Sequence, residues 1–481
     1  MRGNLHRPVH GLTIDSRAVA PGWIFVALPG RRVDGHHFVP GLSQAAAVVV
    51  EREVEVPEGP VVLRFSDTRR ALPWLAAAFH GFPGERLGVG GVTGTNGKTT
   101  VTFLAAAALE AAGHRCGVVG TTGNLLGGAG LDEAALAGGG AVVHHHTTPE
   151  AHLLQALLAQ MADEGCQDVL MEVSSIGLDA CRADAIPYRV AAFTNLTRDH
   201  LDYHGDMERY AQAKERLFHE LLPASGLAVL NRDDPGWRRF RPTQAPVWTF
   251  GLQGGDLSVE SLRLDADGTR ARVHTPLGSG ELRLPLVGRH NLSNGLCALG
   301  MALALGAPLD AALAGLSRAR GAPGRLEAVP HVGGPRVFVD FAHTPDALER
   351  VLACLADLRR GRLLTVFGCG GDRDPGKRAP MGAVARAGSD LVFVTSDNPR
   401  SEPPLTIIEQ ILAGIPDAAG DPAVVVEPDR AVAIRLALRE ARPDDIVLLA
   451  GKGHETTQEL ADRTIPFDDR AVARAILEEA P

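Results

Sequence analysis

The chain is short of cysteine: six in 481 residues (Cys116, Cys166, Cys181, Cys297, Cys354 and Cys369), with no C-x-x-C pair. That spacing excludes a disulfide framework and a cysteine zinc site, and predicts small core residues in a reducing compartment. No block of Lys and Arg is present and the formal net charge is −9, so there is no cationic track for a nucleic-acid backbone. No apolar run reaches the roughly 20 residues that a membrane-spanning helix needs. The opening residues, MRGNLHRPVHGLTIDSR, lack the apolar centre of a secretory signal. These absences predict a cytoplasmic protein without nucleic-acid or membrane partners. No internal repeat is visible, and a monomer is expected.

What is present is an ordinary globular composition, 45% hydrophobic and 22% charged, in a chain too long for one core. Three α/β domains are expected. Residues 1–87 hold short β-prone runs (WIFVALPG, AAVVVE, PVVLRFSD) and one helical stretch, closed by Phe82-Pro83-Gly84. From 88 to 322 strands and helices alternate, which predicts a parallel, doubly wound sheet. Within it, 255–287 alternate apolar and polar positions between Asp-Gly and Gly-Ser-Gly turns, the pattern of a small antiparallel sheet. Residues 323–481 alternate again, as in a Rossmann-like domain, and the Gly-rich segment 123–140 reads as a mobile loop.

The most informative stretch is Val92–Thr100, VTGTNGKTT, between a β-prone run and an Ala/Leu-rich helical run. Glycines let backbone N–H groups close around phosphate oxygens, and the following helix N-terminus adds its positive dipole end. Gly94, Thr95, Asn96, Gly97, Lys98, Thr99 and Thr100 form the candidate cradle for ATP. Lys98 would reach the terminal phosphates, and the Thr99 hydroxyl would ligate the accompanying Mg²⁺. The glycine spacing departs from G-x-x-x-x-G-K-[ST], since Val92 stands where the first glycine belongs.

In open α/β sheets ligands sit beyond the carboxyl ends of strands. There the sequence places EVSS (172–175), TNLTRDHLD (194–202), DFAHTPD (340–346), GCGGDRD (368–374), DNPR (397–400) and GKGHE (451–455). Turn chemistry explains any one such polar cluster, but six alongside a nucleotide loop predict an active site.

In this order VTGTNGKTT, MEVSS, FTNLTRDHLDYHG, GRHNLSN, DFAHTPD, GCGGDRDPGKR, DNPR and GKGHE resemble the Mur ligases of peptidoglycan synthesis, over nearly the whole chain. DNPR with GKGHE is similar to the member that joins a diamino acid to UDP-N-acetylmuramoyl-L-alanyl-D-glutamate. The resemblance implies ATP-driven amide formation through an acyl phosphate, with closure of the domains around the substrates. It implies that Glu172 is a ligand shared by two Mg²⁺ ions, one of them also held by Thr99, that His200 ligates the second, and that Lys214 of YAQAKERLF is carbamylated and supports that second Mg²⁺. By residue type Glu172 suits a Mg²⁺ ligand better than a helix-start carboxylate, whereas a lone histidine such as His200 is more often structural and Lys214 passes as a solvated helix lysine.

The resemblance further assigns Asn291, Arg325 and Asp340 to the nucleotide, although Asn291 also suits a helix cap. It assigns Ile14 and Ser16 to the uridine end of the substrate, with Asp34-Gly35 in the same domain. Thr147, Thr148, Ser174 and Arg182 match contacts to the muramoyl dipeptide. Arg373, Asp397, Asn398, Pro399, Arg400, Gly451 and Glu455 match contacts to the amino acid. A distal carboxylate needs a cation and a donor, for which Arg400 and Asn398 are suited. Glu455 suits a distal ammonium. This points to meso-2,6-diaminopimelate, with L-lysine and L-ornithine as alternatives.

Three positions depart from the family pattern. Ile176 stands where a histidine is common, Ala180 where a glutamine is frequent, and Phe341 where tyrosine is usual. The histidines before Thr147 (144–146) read as a solvated loop, since no partner ligands accompany them. The competing functions are a folylpolyglutamate synthase-like ligase and a P-loop nucleotide switch. Neither calls for both the N-terminal domain and DNPR with GKGHE.

Overall fold

The computed structural model describes residues 8–30, 33–132, 136, 146–265, 268–331 and 333–479. The protein is α/β throughout. Its contacts separate into two compact units, one formed mainly by the chain up to Ala319 and the other mainly by Arg320–Pro481.

The first unit begins with a parallel four-stranded sheet in the order β1 (Gly11–Thr13), β2 (Trp23–Val26), β3 (Ala47–Val50), β4 (Val61–Arg64). Helix α1 (Thr68–Phe79) follows, with the Asp67 side chain accepting from the Arg70 N–H at its start. Its Leu72 joins Leu12, Val26 and Val49 of the small sheet and Ala151 of the next domain in one cluster. A left-handed Phe82 and a short 3₁₀ turn, Pro83–Arg86, lead into the central sheet, where the sequence placed a linker.

The central sheet is built on β5 (Gly88–Thr93). On one side lie β9 (Asp168–Glu172) and β6 (Cys116–Gly120); on the other lie β10 (Tyr188–Phe193), β11 (Leu227–Asn231) and β12 (Val247–Gly251). All these pairings are parallel. The strands are short, and the central ones, β5, β6 and β9, are buried along their whole length, as a doubly wound sheet requires. Strands β13 (Leu257–Asp265), β14 (Gly268–Thr275) and β15 (Gly278–Leu284) extend the edge of this same sheet beyond β12. At the opposite edge β7 (Gly123–Leu126) pairs antiparallel onto β6, and β8 (Ala129–Gly130) pairs antiparallel onto β7. The expected mobile loop 123–140 is therefore corrected at its first half: residues 123–130 are a hairpin, strand at 123–126 and 129–130 with a turn at 127–128, because pairing of β7 to β6 outweighs the local glycine content. Most of 133–145 lies outside the described residues, as do two of the histidines before Thr147.

The second unit holds a six-stranded sheet in the order β16 (Glu327–Ala328), β17 (Arg336–Asp340), β21 (Ile446–Ala450), β18 (Leu363–Phe367), β19 (Leu391–Val394), β20 (Val424–Val426). Only β16 runs antiparallel. Alternation along β18 shows how the two faces are filled. Leu363 and Phe367 join the cluster containing Leu348, Met381 and Ile411 of three helices; Leu364 and Val366 join Ile434 and Ile476 of two others. The polar motifs of this unit all follow the carboxyl ends of its parallel strands.

Candidate active site

After β5 the chain turns through Gly94 and Gly97, both at positive φ (149° and 87°), into α2 (Lys98–Ala111). A Cβ at Gly94 would meet the Thr194 hydroxyl, and one at Gly97 would meet the Asn294 side chain. Only glycine fits either place. The loop is strapped to the segment after β10. Thr194 Oγ1 and Asn195 Nδ2 donate to the Asn96 carbonyl at 2.6 and 3.1 Å, and the Asn96 N–H donates to Asn195 Oδ1 at 3.0 Å. Thr95 Oγ1 donates to the Thr197 carbonyl at 3.1 Å and accepts from its N–H at 2.9 Å. TNLT is thus a clamp on the loop, a role that residue type did not reveal. Asn96 Nδ2 is buried without an acceptor among the described residues, a donor left over inside the cradle.

Two amines converge on one carbonyl. Lys98 Nζ donates to the carbonyls of Gly94 and Thr95, each at 2.9 Å, and Lys214 Nζ donates to Gly94 at 2.9 Å. Lys214 is 1% exposed and lies 4.6 Å from the centre of the Tyr210 ring. Burial, then repulsion by Lys98, holds its pKa well below 10.5, against the opposing pull of Asp199. The reading of Lys214 as a solvated helix lysine is therefore wrong. Its helix, Met207–Arg216, turns Tyr210, Ala211, Ala213 and Lys214 inward.

Glu172 ends β9, and its carboxylate accepts from the Thr121 N–H at 2.8 Å and the Thr121 hydroxyl at 3.1 Å. It follows no helix-start pattern; it is a buried strand-end carboxylate. His200 has a left-handed φ of 52° and lies 3.5 Å from Asp199. Desolvation lowers its pKa, with Lys98 and Lys214 adding to the effect against Asp199 and Asp202, which favours the neutral ring, the form that ligates a metal. Thr99 is buried in the first turn of α2. Among the described residues no three His, Cys, Asp or Glu side chains gather as a metal site. A sparse, oxygen-rich set is nevertheless what Mg²⁺ uses when substrate phosphates complete its shell.

Near this cluster Thr147 and Thr121 hydroxyls meet at 3.0 Å, and Thr148 Oγ1 lies 3.1 Å from Ser174 Oγ while donating to the Glu172 carbonyl at 3.0 Å. Ser174 caps the short helix Ser175–Asp179 through the Gly177 N–H. Arg182 pairs with Glu150 at 2.6 Å and donates to the Thr148 carbonyl at 3.3 Å. Ile176 and Ala180 belong to the same turn, where His204 Nε2 contacts Ser175 Oγ at 3.0 Å. In the N-terminal sheet Ile14 and Ser16 follow β1, next to Asp15, which caps the Arg17 N–H. Asp34 accepts from both the N–H and ring of His36 and from Arg52, so its carboxylate is spent on the local turn.

In the second unit Arg325 lies over the Phe341 ring, 4.9 Å from its centre, with its Nε buried and unpaired among the described residues. Phe341 therefore supplies the ring face, and the missing tyrosine hydroxyl does not disturb that stack. Asp340 accepts from the Leu326 N–H at 2.7 Å; burial raises its pKa, opposed by Arg325. Asn291 donates from Nδ2 to the Val287 carbonyl at 2.9 Å, so it has a local tie in its own turn.

The exits of β18, β19 and β21 form one network. Asn398 Nδ2 donates to Glu455 Oε2 at 2.8 Å, while Asn398 Oδ1 accepts from Lys452 Nζ at 3.0 Å. Lys452 also pairs with Glu455 at 2.9 Å and is fully buried. Asp397, buried beside Gly451, has its pKa raised by desolvation, against Arg430 and Lys452. Arg400, at φ 51°, donates to Glu459 and to the Gly371 carbonyl; Pro399 is buried, and Arg373 is exposed. Arg430 and Asp469 form a fully buried pair at 2.7 Å that also binds the Ser396 and Ala450 carbonyls. The sequence reading missed Lys452, Arg430 and Glu459. Lys452 lay inside GKGHE and could have been found there; the other two carry no local signal.

The model for the Mur ligase family catalytic domain matches residues 8–80, that for the Mur ligase middle domain 92–302, and that for the Mur ligase glutamate ligase domain 324–453. A UDP-N-acetylmuramoyl-L-alanyl-D-glutamate--2,6-diaminopimelate ligase of Geobacter metallireducens is 44% identical over 502 residues, covering 99% of this chain and 96% of the relative. One of the same name from Gloeobacter violaceus is 45% identical over 474 residues, covering 98% and 94%. A solved structure of a ligase of that name superposes with a TM-score of 0.69 at 34% identity, covering 98% of this chain and 95% of that one. With three domain models matched in order and full-length relatives above 40% identity, this chain belongs to the Mur ligase family.

Proposed function

We propose that the chain is a cytoplasmic, monomeric, ATP-dependent ligase that joins meso-2,6-diaminopimelate to the D-Glu γ-carboxylate of UDP-N-acetylmuramoyl-L-alanyl-D-glutamate. Residues 1–87 bind the uridine end through Ile14 and Ser16, 88–322 bind ATP, and 323–481 bind the amino acid. The observation that carries this reading is the strand-exit network of the second unit, where a guanidinium (Arg400) and a carboxylate (Glu455) are joined through the DNPR loop. Such a pair matches an amino acid whose far end bears both a carboxylate and an ammonium. L-Lysine and L-ornithine bring no distal carboxylate to the guanidinium, and the N-terminal sheet with DNPR and GKGHE favours this reading over a folylpolyglutamate synthase.

The chemistry must bring two anions together, a carboxylate and a triphosphate. The P-loop N–H groups and Lys98 hold the phosphates, Asn291, Arg325 and Asp340 hold the nucleotide, and Thr147, Thr148, Ser174 and Arg182 hold the dipeptide. Thr99, Glu172, His200 and a carbamylated Lys214 would hold Mg²⁺, which would supply charge neutralisation at the transferring phosphoryl group. A γ-carboxylate oxygen of D-Glu attacks the γ-phosphorus and ADP leaves. The neutral amine of the amino acid then attacks the acyl carbon, and phosphate departs with that oxygen. With an ¹⁸O-labelled γ-carboxylate, mass spectrometry should find one label in the released phosphate. Unlabelled phosphate would contradict the acyl-phosphate route.

Lys452 is expected to matter here although it need not touch substrate. Removing the buried Lys452 amine takes the cation from the partly exposed Glu455 carboxylate and the donor from Asn398 Oδ1. Lys452→Met should raise the KM for the diamino acid by roughly ten- to a hundredfold, with the KM for ATP near its original value. Steady-state kinetics with each substrate varied in turn would check this.

A further inference from the structure

Beyond the motifs, a small hairpin is laced to the DNPR loop. Strand β22 (Thr457–Glu459) pairs antiparallel with β23 (Thr464–Pro466), and the turn closes with the Leu460 N–H on the Arg463 carbonyl. Gln458 Nε2 donates to the Asp397 carbonyl at 2.7 Å, and the Glu459 N–H donates to Asn398 Oδ1 at 3.0 Å. The Arg400 N–H donates to the Glu459 carbonyl at 3.1 Å, and Arg400 Nε donates to Glu459 Oε2 at 2.6 Å. Glu459 therefore grips the loop with its N–H, its carbonyl and its side chain.

Arg400 needs such a grip. Its φ of 51° lies in the left-handed region, where a long L side chain is strained unless its surroundings hold it. Of its five side-chain N–H donors, Nε goes to Glu459 and one on Nη1 goes to the Gly371 carbonyl at 2.9 Å. The Nη2 group and the second Nη1 hydrogen have no acceptor among the described residues. Those two nitrogens form the end-on edge of the guanidinium, which takes a carboxylate with two parallel hydrogen bonds.

We propose that Glu459 is a positioning residue for amino-acid selection: it fixes Arg400 by Nε, so that the Nη1–Nη2 edge is presented to the distal carboxylate of the substrate. This rests on the proposed ligase reading. Glu459 makes no contact with reacting atoms, and its effect runs through Arg400.

The test is the kinetics of Glu459→Ala and Glu459→Gln with diaminopimelate, ATP and the UDP-dipeptide each varied, together with Tm. Glu459→Ala should raise the KM for diaminopimelate by roughly tenfold, with kcat, the other two KM values and Tm little changed. Glu459→Gln keeps an acceptor for Nε and should restore most of the loss. A lower KM for diaminopimelate in Glu459→Ala would show that Glu459 competes with substrate, and would overturn the proposal. An unchanged KM, or a rise in all three with a fall in Tm, would overturn it too. If the unaltered enzyme has no turnover with diaminopimelate, the ligase reading has failed; if it does and the variants match it, only this inference has.

Discussion

Replacing Lys214 with methionine is expected to abolish turnover while leaving the fold as stable as before, or more so. The amine is buried, and its pKa is depressed well below 10.5 by desolvation and by Lys98. Between the depressed value and 10.5 the unfolded chain carries a proton that the folded chain lacks, so stability falls as pH falls through that window. Methionine fills similar volume with no proton to lose. In bicarbonate-free buffer the Tm of Lys214→Met should equal or exceed that of the unaltered protein, with the difference growing as pH falls toward neutrality. The loss of turnover should be roughly a thousandfold or more, the scale of the several kcal/mol that a catalytic metal contributes. The same depressed pKa favours the neutral amine, the form that adds to CO₂. A ¹³C carbamate signal that appears with labelled bicarbonate, and is missing in Lys214→Met, would establish the modification. Full activity in the variant would remove Lys214 from the mechanism.

Lys98→Ala should lower kcat by roughly 10²- to 10³-fold, the usual cost of removing one preorganised charge from a developing anion. In the present structure Lys98 folds back on the Gly94 and Thr95 carbonyls, bonds it must exchange for phosphate oxygens. A second effect follows from its neighbours. Lys98 contributes to the lowered pKa of both Lys214 and His200, so removing its charge should raise both. Carbamate formation on Lys214 in Lys98→Ala should then require higher pH, readable in a ¹³C titration. An unshifted titration midpoint would show that the two amines are electrically independent, against the shared Gly94 carbonyl.

The nucleotide loop was legible in the sequence because everything that makes it is local: a strand, two positive-φ glycines, and the start of a helix within ten residues. The strand-exit motifs were legible for the same reason. Lys214 was not, because its burial is decided by what packs on its helix, and a lysine at that spacing usually faces water. Tyr210 four residues earlier on the same face was the one available hint. Glu459 and Arg430 escaped notice because their partners lie 59 and 39 positions away. Strand β7 was hidden by glycines that mark a loop by composition, while its pairing to β6 is a tertiary fact. Substrate assignments drew on the resemblance throughout; packing and periodicity alone reach a P-loop and two sheets.

The most direct test of the whole account is phosphate release with ATP, Mg²⁺ and UDP-N-acetylmuramoyl-L-alanyl-D-glutamate, with meso-diaminopimelate, L-lysine and L-ornithine supplied in separate reactions and the products weighed by mass spectrometry. The account predicts turnover with diaminopimelate, little with the other two, and loss of that preference in Arg400→Ala. Turnover with lysine or ornithine in place of diaminopimelate, or no phosphate release with any of the three, would contradict it.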